Sequence, residues 1–161
     1  MQDNLAVGLG EIKLSRNPDD VLVAYGLGSC VGIGMYDPQV RVAALLHAVL
    51  PDSPNGAVER SPKYVSSGIE MMLEEMMKHG AQPSRLIIRM AGGANMLAAP
   101  GFAQTFNIGT RNVEAAYETL KKFRLKIASQ EVGGTSGRTV RFYVRDGRMT
   151  IRTVGNQERE V

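Results

Sequence analysis

The feature that most restricts this chain is a pair of apolar, β-prone runs, Cys30–Tyr36 (CVGIGMY) and Val40–Leu50 (VRVAALLHAVL), with Asp37-Pro38 between them. Proline has no N–H to give a central strand, so the two runs cannot join into one long strand. Asp37-Pro38 is a turn signal, and the two runs pair naturally across it. The second run is apolar over most of its length and reads as a buried strand. A third β-prone run, Val21–Tyr25, precedes them and ends in the turn Gly26-Leu27-Gly28-Ser29.

Around this centre the pattern alternates. Leu5–Leu14 reads as one short strand entering the fold, and Pro51–Pro62 as a polar loop rich in turn formers. Ser61 is placed as a helix N-cap with Pro62 in the first turn. That helix runs to His79, with Val65, Ile69, Met72, Leu73 and Met76 on one face and Gly80 as its stop. Arg85–Met90 is a strand followed by the loop Ala91–Ala94. A second amphipathic helix spans Asn112–Phe123, with Asn112 as N-cap and Val113, Ala116, Tyr117 and Leu120 inward. Lys126–Val132, Thr139–Val144 and Met149–Val154 are strands, the last two joined by an Asp146-Gly147 hairpin turn, and residues 155–161 are expected to fray. The expected architecture is a layered α/β domain with a mixed β-sheet and two principal amphipathic helices, residues 1–161 forming one domain.

Composition removes several functions. One cysteine among 161 residues allows no internal disulfide and fits a reducing compartment. Cys30, His47 and His79 are all the Cys and His available, too few for an ordinary zinc site, so no metal is expected. No apolar run reaches the roughly 18–20 residues of a membrane span, and Met1–Gly10 has no basic leader, so a cytoplasmic location without membrane insertion is expected. The net charge is +3, with basic stretches at Lys121–Lys126 and Arg138–Arg152. These read as solvated faces or as weak attraction to an acidic protein. With no tryptophan and few aromatics among the arginines, nucleic-acid binding has little support.

The chemistry-bearing residues cluster at Gly26–Cys30. A cysteine nucleophile acts as thiolate and needs N–H groups or a base nearby. Glycines before Cys30 permit a tight turn, and N–H groups around Gly28, Ser29 and Val31 can hold an oxyanion. The competing reading is a cysteine that serves as a small hydrophobe. An activated thiol would alkylate quickly at neutral pH. His79 falls in the last turn of the first helix, where it interacts with the helix C-terminus. His47 lies inside an apolar strand, where an imidazole is costly without a partner. It is read either as the base for Cys30 or as a satisfied core histidine. Centring the reversal between Asp37 and Pro38 pairs Cys30 with Leu45; centring it between Pro38 and Gln39 pairs Cys30 with His47. A dinucleotide fingerprint is excluded, because Val31 stands where a third glycine would be and a strand follows.

An ordered set of motifs runs along nearly the whole chain. It comprises Gly26-Leu27-Gly28-Ser29-Cys30-Val31-Gly32, Tyr36-Asp37, His47-Ala48-Val49-Leu50-Pro51-Asp52-Ser53, Lys63-Tyr64, Ala91-Gly92-Gly93-Ala94-Asn95-Met96, Asn107-Ile108-Gly109-Thr110-Arg111-Asn112-Val113, Gly133-Gly134 and Gly137-Arg138. The set resembles the chemoreceptor glutamine deamidase family, CheD. The resemblance implies a layered α/β sandwich that hydrolyses selected glutamines of methyl-accepting chemotaxis receptors, a protein-glutamine glutaminase that needs no cofactor. It also implies Cys30 as nucleophile, His47 as base, and the phosphatase CheC as a binding partner. Gly92, Gly93 and Asn95, and residues 107–112, are candidate site lining or simply a turn and a cap; Arg138 faces an acidic surface or forms an ion pair. One departure stands out: Ala24 occupies the position where the family has a threonine that orients the histidine. A backbone carbonyl, Tyr25 or Ser29 could take that role. Ala24 also motivates an alternative, a weakly active or inactive homologue that binds CheC or receptors, with Met71 and Met77 off the buried helix face as docking surface. Glutamyl methyl esters are a third possible target of the same chemistry.

Overall fold

The computed structural model describes residues 3–53, 60–96 and 107–161. Part of the polar loop expected at 51–62 therefore lies outside the described residues. The strands are β1 (Asp3–Ala6), β2 (Glu11–Ser15), β3 (Asp20–Leu27), β4 (Val31–Asp37), β5 (Val42–Ala48), β6 (Ile87–Gly92), β7 (Ile127–Val132), β8 (Arg138–Tyr143), β9 (Met149–Thr153) and β10 (Arg159–Glu160). The helices are α1 (Val65–Lys78) and α2 (Ile108–Lys122), with a single 3-10 turn at Pro83–Arg85. Among the described residues no helix is long and apolar enough to cross a membrane.

The strands form two five-stranded mixed sheets, ordered β1-β3-β8-β9-β10 and β2-β5-β4-β6-β7. Side-chain alternation assigns the layers. Val31, Ile33 and Met35 of β4, with Val42, Ala44, Leu46 and Ala48 of β5, pack with Val65, Ile69, Met72 and Met76 of α1 and Val113, Ala116 and Leu120 of α2. The opposite face of the same sheet supplies Tyr36, Ala43 and Leu45. These meet Leu22, Ala24, Leu27, Val140, Phe142 and Ile151 of the other sheet. The result is a layered α/β sandwich: helices, sheet, sheet. Strand β4 presents Gly32 and Gly34 to the second sheet, and a Cβ at Gly34 would meet the Phe142 ring at 2.6 Å.

Several local expectations shift. The single strand expected over Leu5–Leu14 is two strands in different sheets, split at Gly8-Leu9-Gly10, where Gly10 has φ +70. The first helix begins at Val65 rather than near Pro62. Ser61 instead forms a turn, its carbonyl accepting the Tyr64 N–H at 3.2 Å and its hydroxyl the Lys63 N–H at 3.1 Å. The second helix starts at Ile108. Asn112 lies inside it, fully buried, and is not its cap, while Tyr117 is exposed and donates its hydroxyl to Gln130 at 2.7 Å. Residues 155–161 do not fray. They contain β10, paired with β9, and Val161 N–H donates to Met149 O at 2.9 Å.

Asp37 anchors the β4–β5 connection. It is fully buried, and its carboxylate accepts the Gln39 and Gln82 N–H groups at 2.9 and 3.0 Å and faces the Arg85 guanidinium at 2.9 Å. Burial alone would raise its pKa. Arg85 and the N–H donors outweigh burial and hold the carboxyl below the ordinary aspartate range. A folded-state pKa below the unfolded one gives stabilisation that is present above the unfolded pKa and lost as pH falls through the folded value. Asp37→Ala is expected to cost about 3 kcal/mol in urea unfolding at pH 7, because it leaves Arg85 without its partner. The deficit should shrink in acid; an equal deficit at pH 7 and pH 3 would show that the ionised carboxylate is not responsible.

Candidate active site

Cys30 is the last residue before β4, half-buried, and packs against the cluster between the two sheets. The β4–β5 ladder pairs Val31 with Ala48 and Gly32 with His47. Neither expected register holds: the one with Cys30 opposite His47 is off by two residues and the one with Cys30 opposite Leu45 by four. The physical reason lies in the turn. Asp37 pairs with Val42, leaving residues 38–41 as a four-residue connection. The Asp37 side chain holds Gln39 N–H, and its carbonyl takes the Arg41 N–H at 2.8 Å, while Arg41 sits at φ 54. Residues two apart on a strand share a face, as do cross-strand partners. Cys30 thus lies diagonally from His47, on the side of the sheet that faces the other sheet. The residue between them on that face, Gly32, has no side chain.

His47 is 4% exposed and lies between Gly32 of β4 and Glu11 of β2. Its Nδ1 is 2.9 Å from the carbonyl oxygen of Val7, which can only accept. Nδ1 therefore carries a proton, and in the neutral imidazole the lone pair lies on Nε2. Nε2 is buried and has no hydrogen-bond partner among the described residues. Ala24 is fully buried in the inter-sheet core, and neither Tyr25 nor Ser29 is the group that holds the ring.

The turn before Cys30 is pinned by three successive carbonyls. Gly28 O accepts Ala94 N–H at 2.9 Å, Ser29 O accepts the Asn112 side-chain amide at 2.8 Å, and Cys30 O accepts Gly93 N–H at 2.8 Å. A trans peptide sets each carbonyl antiparallel to the next N–H. The N–H groups of Ser29, Cys30 and Val31 accordingly point away from those partners. Gly92 lies against the same turn: its φ is +109, and a Cβ there would meet Cys30 O at 2.3 Å. Asn95 turns elsewhere, giving its amide to Thr110 Oγ1 at 2.8 Å and accepting Thr110 N–H at 3.2 Å. His79 takes its expected place at the end of α1, with Nδ1 2.8 Å from Glu75 O. Arg138 does not face solvent, and its acceptors among the described residues are carbonyls, not carboxylates. It is 6% exposed and donates to the carbonyls of Glu131, Gly133 and Ser136, bracing the loop after β7.

Asn112, read from the sequence as a helix cap, instead lies inside the helix and bridges two carbonyls. An asparagine before an apolar run looks like a cap, and nothing local distinguishes that from a buried bridge. Its amide reaches Ser29 O at 2.8 Å and Val49 O at 2.9 Å, joining the cysteine turn to the chain just after His47.

Burial raises the Cys30 pKa, and its own N–H offsets this only in part. Burial therefore favours the neutral thiol over the thiolate in the resting site. Alkylation of Cys30 by iodoacetamide, followed by intact mass, should accelerate with rising pH and have its midpoint above that of a free cysteine. A midpoint below neutrality would overturn this assignment.

The profile of the family described as CheD, chemotactic sensory transduction, matches residues 49–153. A protein of Symbiobacterium thermophilum named probable chemoreceptor glutamine deamidase CheD is 45% identical over 158 residues, 97% of this chain and 96% of that one. An Archaeoglobus fulgidus protein of the same name is 41% identical over 94% of each chain. One from Thermotoga maritima, named chemoreceptor glutamine deamidase CheD, is 40% identical over 94% of this chain and 93% of its own. With the motifs and relatives in agreement along nearly its full length and the profile over residues 49–153, the chain belongs to the CheD family.

Proposed function

We propose that this protein deamidates selected glutamine side chains of methyl-accepting chemotaxis receptors through a Cys30 thioester. The observation that carries the reading is His47: buried, with Nδ1–H committed to Val7 O and a free lone pair on Nε2, on the same sheet face as Cys30. A histidine kept only for packing would gain nothing from an unpaired, buried Nε2.

The steps follow from the groups present. His47 Nε2 takes the Cys30 proton as Sγ bonds to the glutamine carboxamide carbon. N–H groups of the Gly28–Val31 turn receive the developing oxyanion. The protonated His47 returns its proton to the nitrogen, the C–N bond breaks, and ammonia leaves. A water, losing its proton to His47, then attacks the thioester; the C–S bond breaks, glutamate departs and Sγ regains a proton. The Val7 carbonyl holds the ring in the reactive tautomer throughout, the role the family threonine would have at position 24. Glutamyl methyl esters fit the same steps with methanol as the leaving group. CheC is the second macromolecular partner of this reading.

Incubation of a receptor cytoplasmic fragment with wild type should release ammonia and add about one dalton per modified site. Cys30→Ala should abolish both. His47→Gln should reduce kcat at least 100-fold, the usual scale for losing a general base. Full activity of Cys30→Ala, or an inert wild type that still binds the receptor, would overturn the proposal.

A further inference from the structure

Asn112 sits in the interior of α2, where asparagine is a poor helix former, and it is fully buried. Its Oδ1 has no hydrogen-bond partner among the described residues. On stability alone this is a poor choice for the position. Its Nδ2, however, uses both hydrogens, on Ser29 O at 2.8 Å and Val49 O at 2.9 Å. Both acceptors are carbonyls, so the orientation of the amide is unambiguous.

Those carbonyls lie where the two strands part. The β4–β5 ladder ends at Val31–Ala48, and the next position would bring Cys30 beside Val49. Val49 N–H turns away to Lys63 O at 2.9 Å. The bridge across the gap at these two carbonyls is the Asn112 amide. We infer that Asn112 is a positioning residue for the nucleophile: it locks the Ser29–Cys30 peptide and ties the cysteine turn to the end of the histidine strand.

The consequence follows from peptide planarity. With Ser29 O held toward α2, the Cys30 N–H is turned to the opposite side, toward its own sulfur and the oxyanion position. A bond to Ser29 O also polarises the same peptide and strengthens its N–H as a donor. Without Asn112 the Ser29–Cys30 peptide loses its own restraint, with only the neighbouring carbonyls of Gly28 and Cys30 still held, and two half-buried carbonyls lose their donor. The thiolate and the oxyanion then lose a fixed N–H.

This inference rests on the deamidase reading, and the experiment separates the two. Wild type, Asn112→Ala, Asn112→Ser and Cys30→Ala are compared for receptor deamidation, for the pH profile of iodoacetamide alkylation, and for urea unfolding. Asn112→Ala is expected to lose about 100-fold in kcat, the scale of a misplaced catalytic group, with KM nearly unchanged. Its alkylation midpoint should move to higher pH. Asn112→Ser, with one donor left, should fall between, and it decides the question in the same way where the alanine variant does not fold. Wild-type kcat and an unmoved alkylation profile in a folded Asn112 variant would overturn the inference, as would a loss that follows only the folded fraction. Equal deamidation by Cys30→Ala and wild type would instead remove the deamidase reading itself.

Discussion

The two sheets meet closely because β4 presents glycine to the interface. Gly34 lies under the Phe142 ring, and a Cβ at Gly32 would approach Leu27 at 3.2 Å. Leu27 is the last residue of β3, so its seat over Gly32 fixes where β3 ends and where the turn to Cys30 begins. Gly32 is also the partner of His47, which leaves the imidazole facing a strand position without a side chain. One packing requirement thus sets the sheet separation, the start of the cysteine turn and the space beside the histidine. Close packing transmits such constraints, because the interior has few voids to absorb a displacement.

Much of this was legible in the sequence. Apolar alternation located most strands and both helices, and the Asp37-Pro38 turn signal marked the antiparallel pairing of β4 and β5. The register was not legible. It depends on Asp37 turning its carboxylate onto Gln39 and Val40 N–H groups, with Arg85 arriving from more than forty residues away. The start of α2 was hidden for a similar reason. Asn107 stands just before the helix but makes no side-chain capping bond, and the Thr110 N–H in the first turn is satisfied instead by Asn95, a residue from the preceding loop. β10 escaped because a two-residue strand in a polar tail has no period to detect. Its order comes from pairing with β9 and from Arg159 meeting Glu131. In each case the tertiary partner that decides the local structure was not visible.

The two members of the candidate pair are set differently by their surroundings. Cys30 is pushed toward the neutral thiol by burial. His47 is held in one tautomer by a partner that cannot reverse its role. In the proposed chemistry this division has a purpose: the thiol stays protonated and unreactive until a carboxamide is in place, and proton transfer to Nε2 accompanies attack. A standing thiolate in a half-buried site would be an easy target for oxidation and adventitious alkylation.

The same logic bears on Ala24. A threonine hydroxyl can either donate or accept, so using it to orient an imidazole requires that its own hydrogen be directed elsewhere. A backbone carbonyl only accepts, and Val7 O is fixed by its place in the chain: Val7 N–H bonds Val23 O at 2.8 Å, extending the β1–β3 pairing, and Gly10 N–H returns to His47 O at 2.8 Å. The segment that carries the acceptor is therefore tied to β3 on one side and to the backbone of His47 itself on the other. An alanine at position 24 then removes no partner that the ring needs, and its methyl adds to the apolar packing between the sheets. For the deamidase reading, loss of the family hydroxyl is a change in which atom accepts the Nδ1 proton, not loss of the tautomer that the chemistry requires.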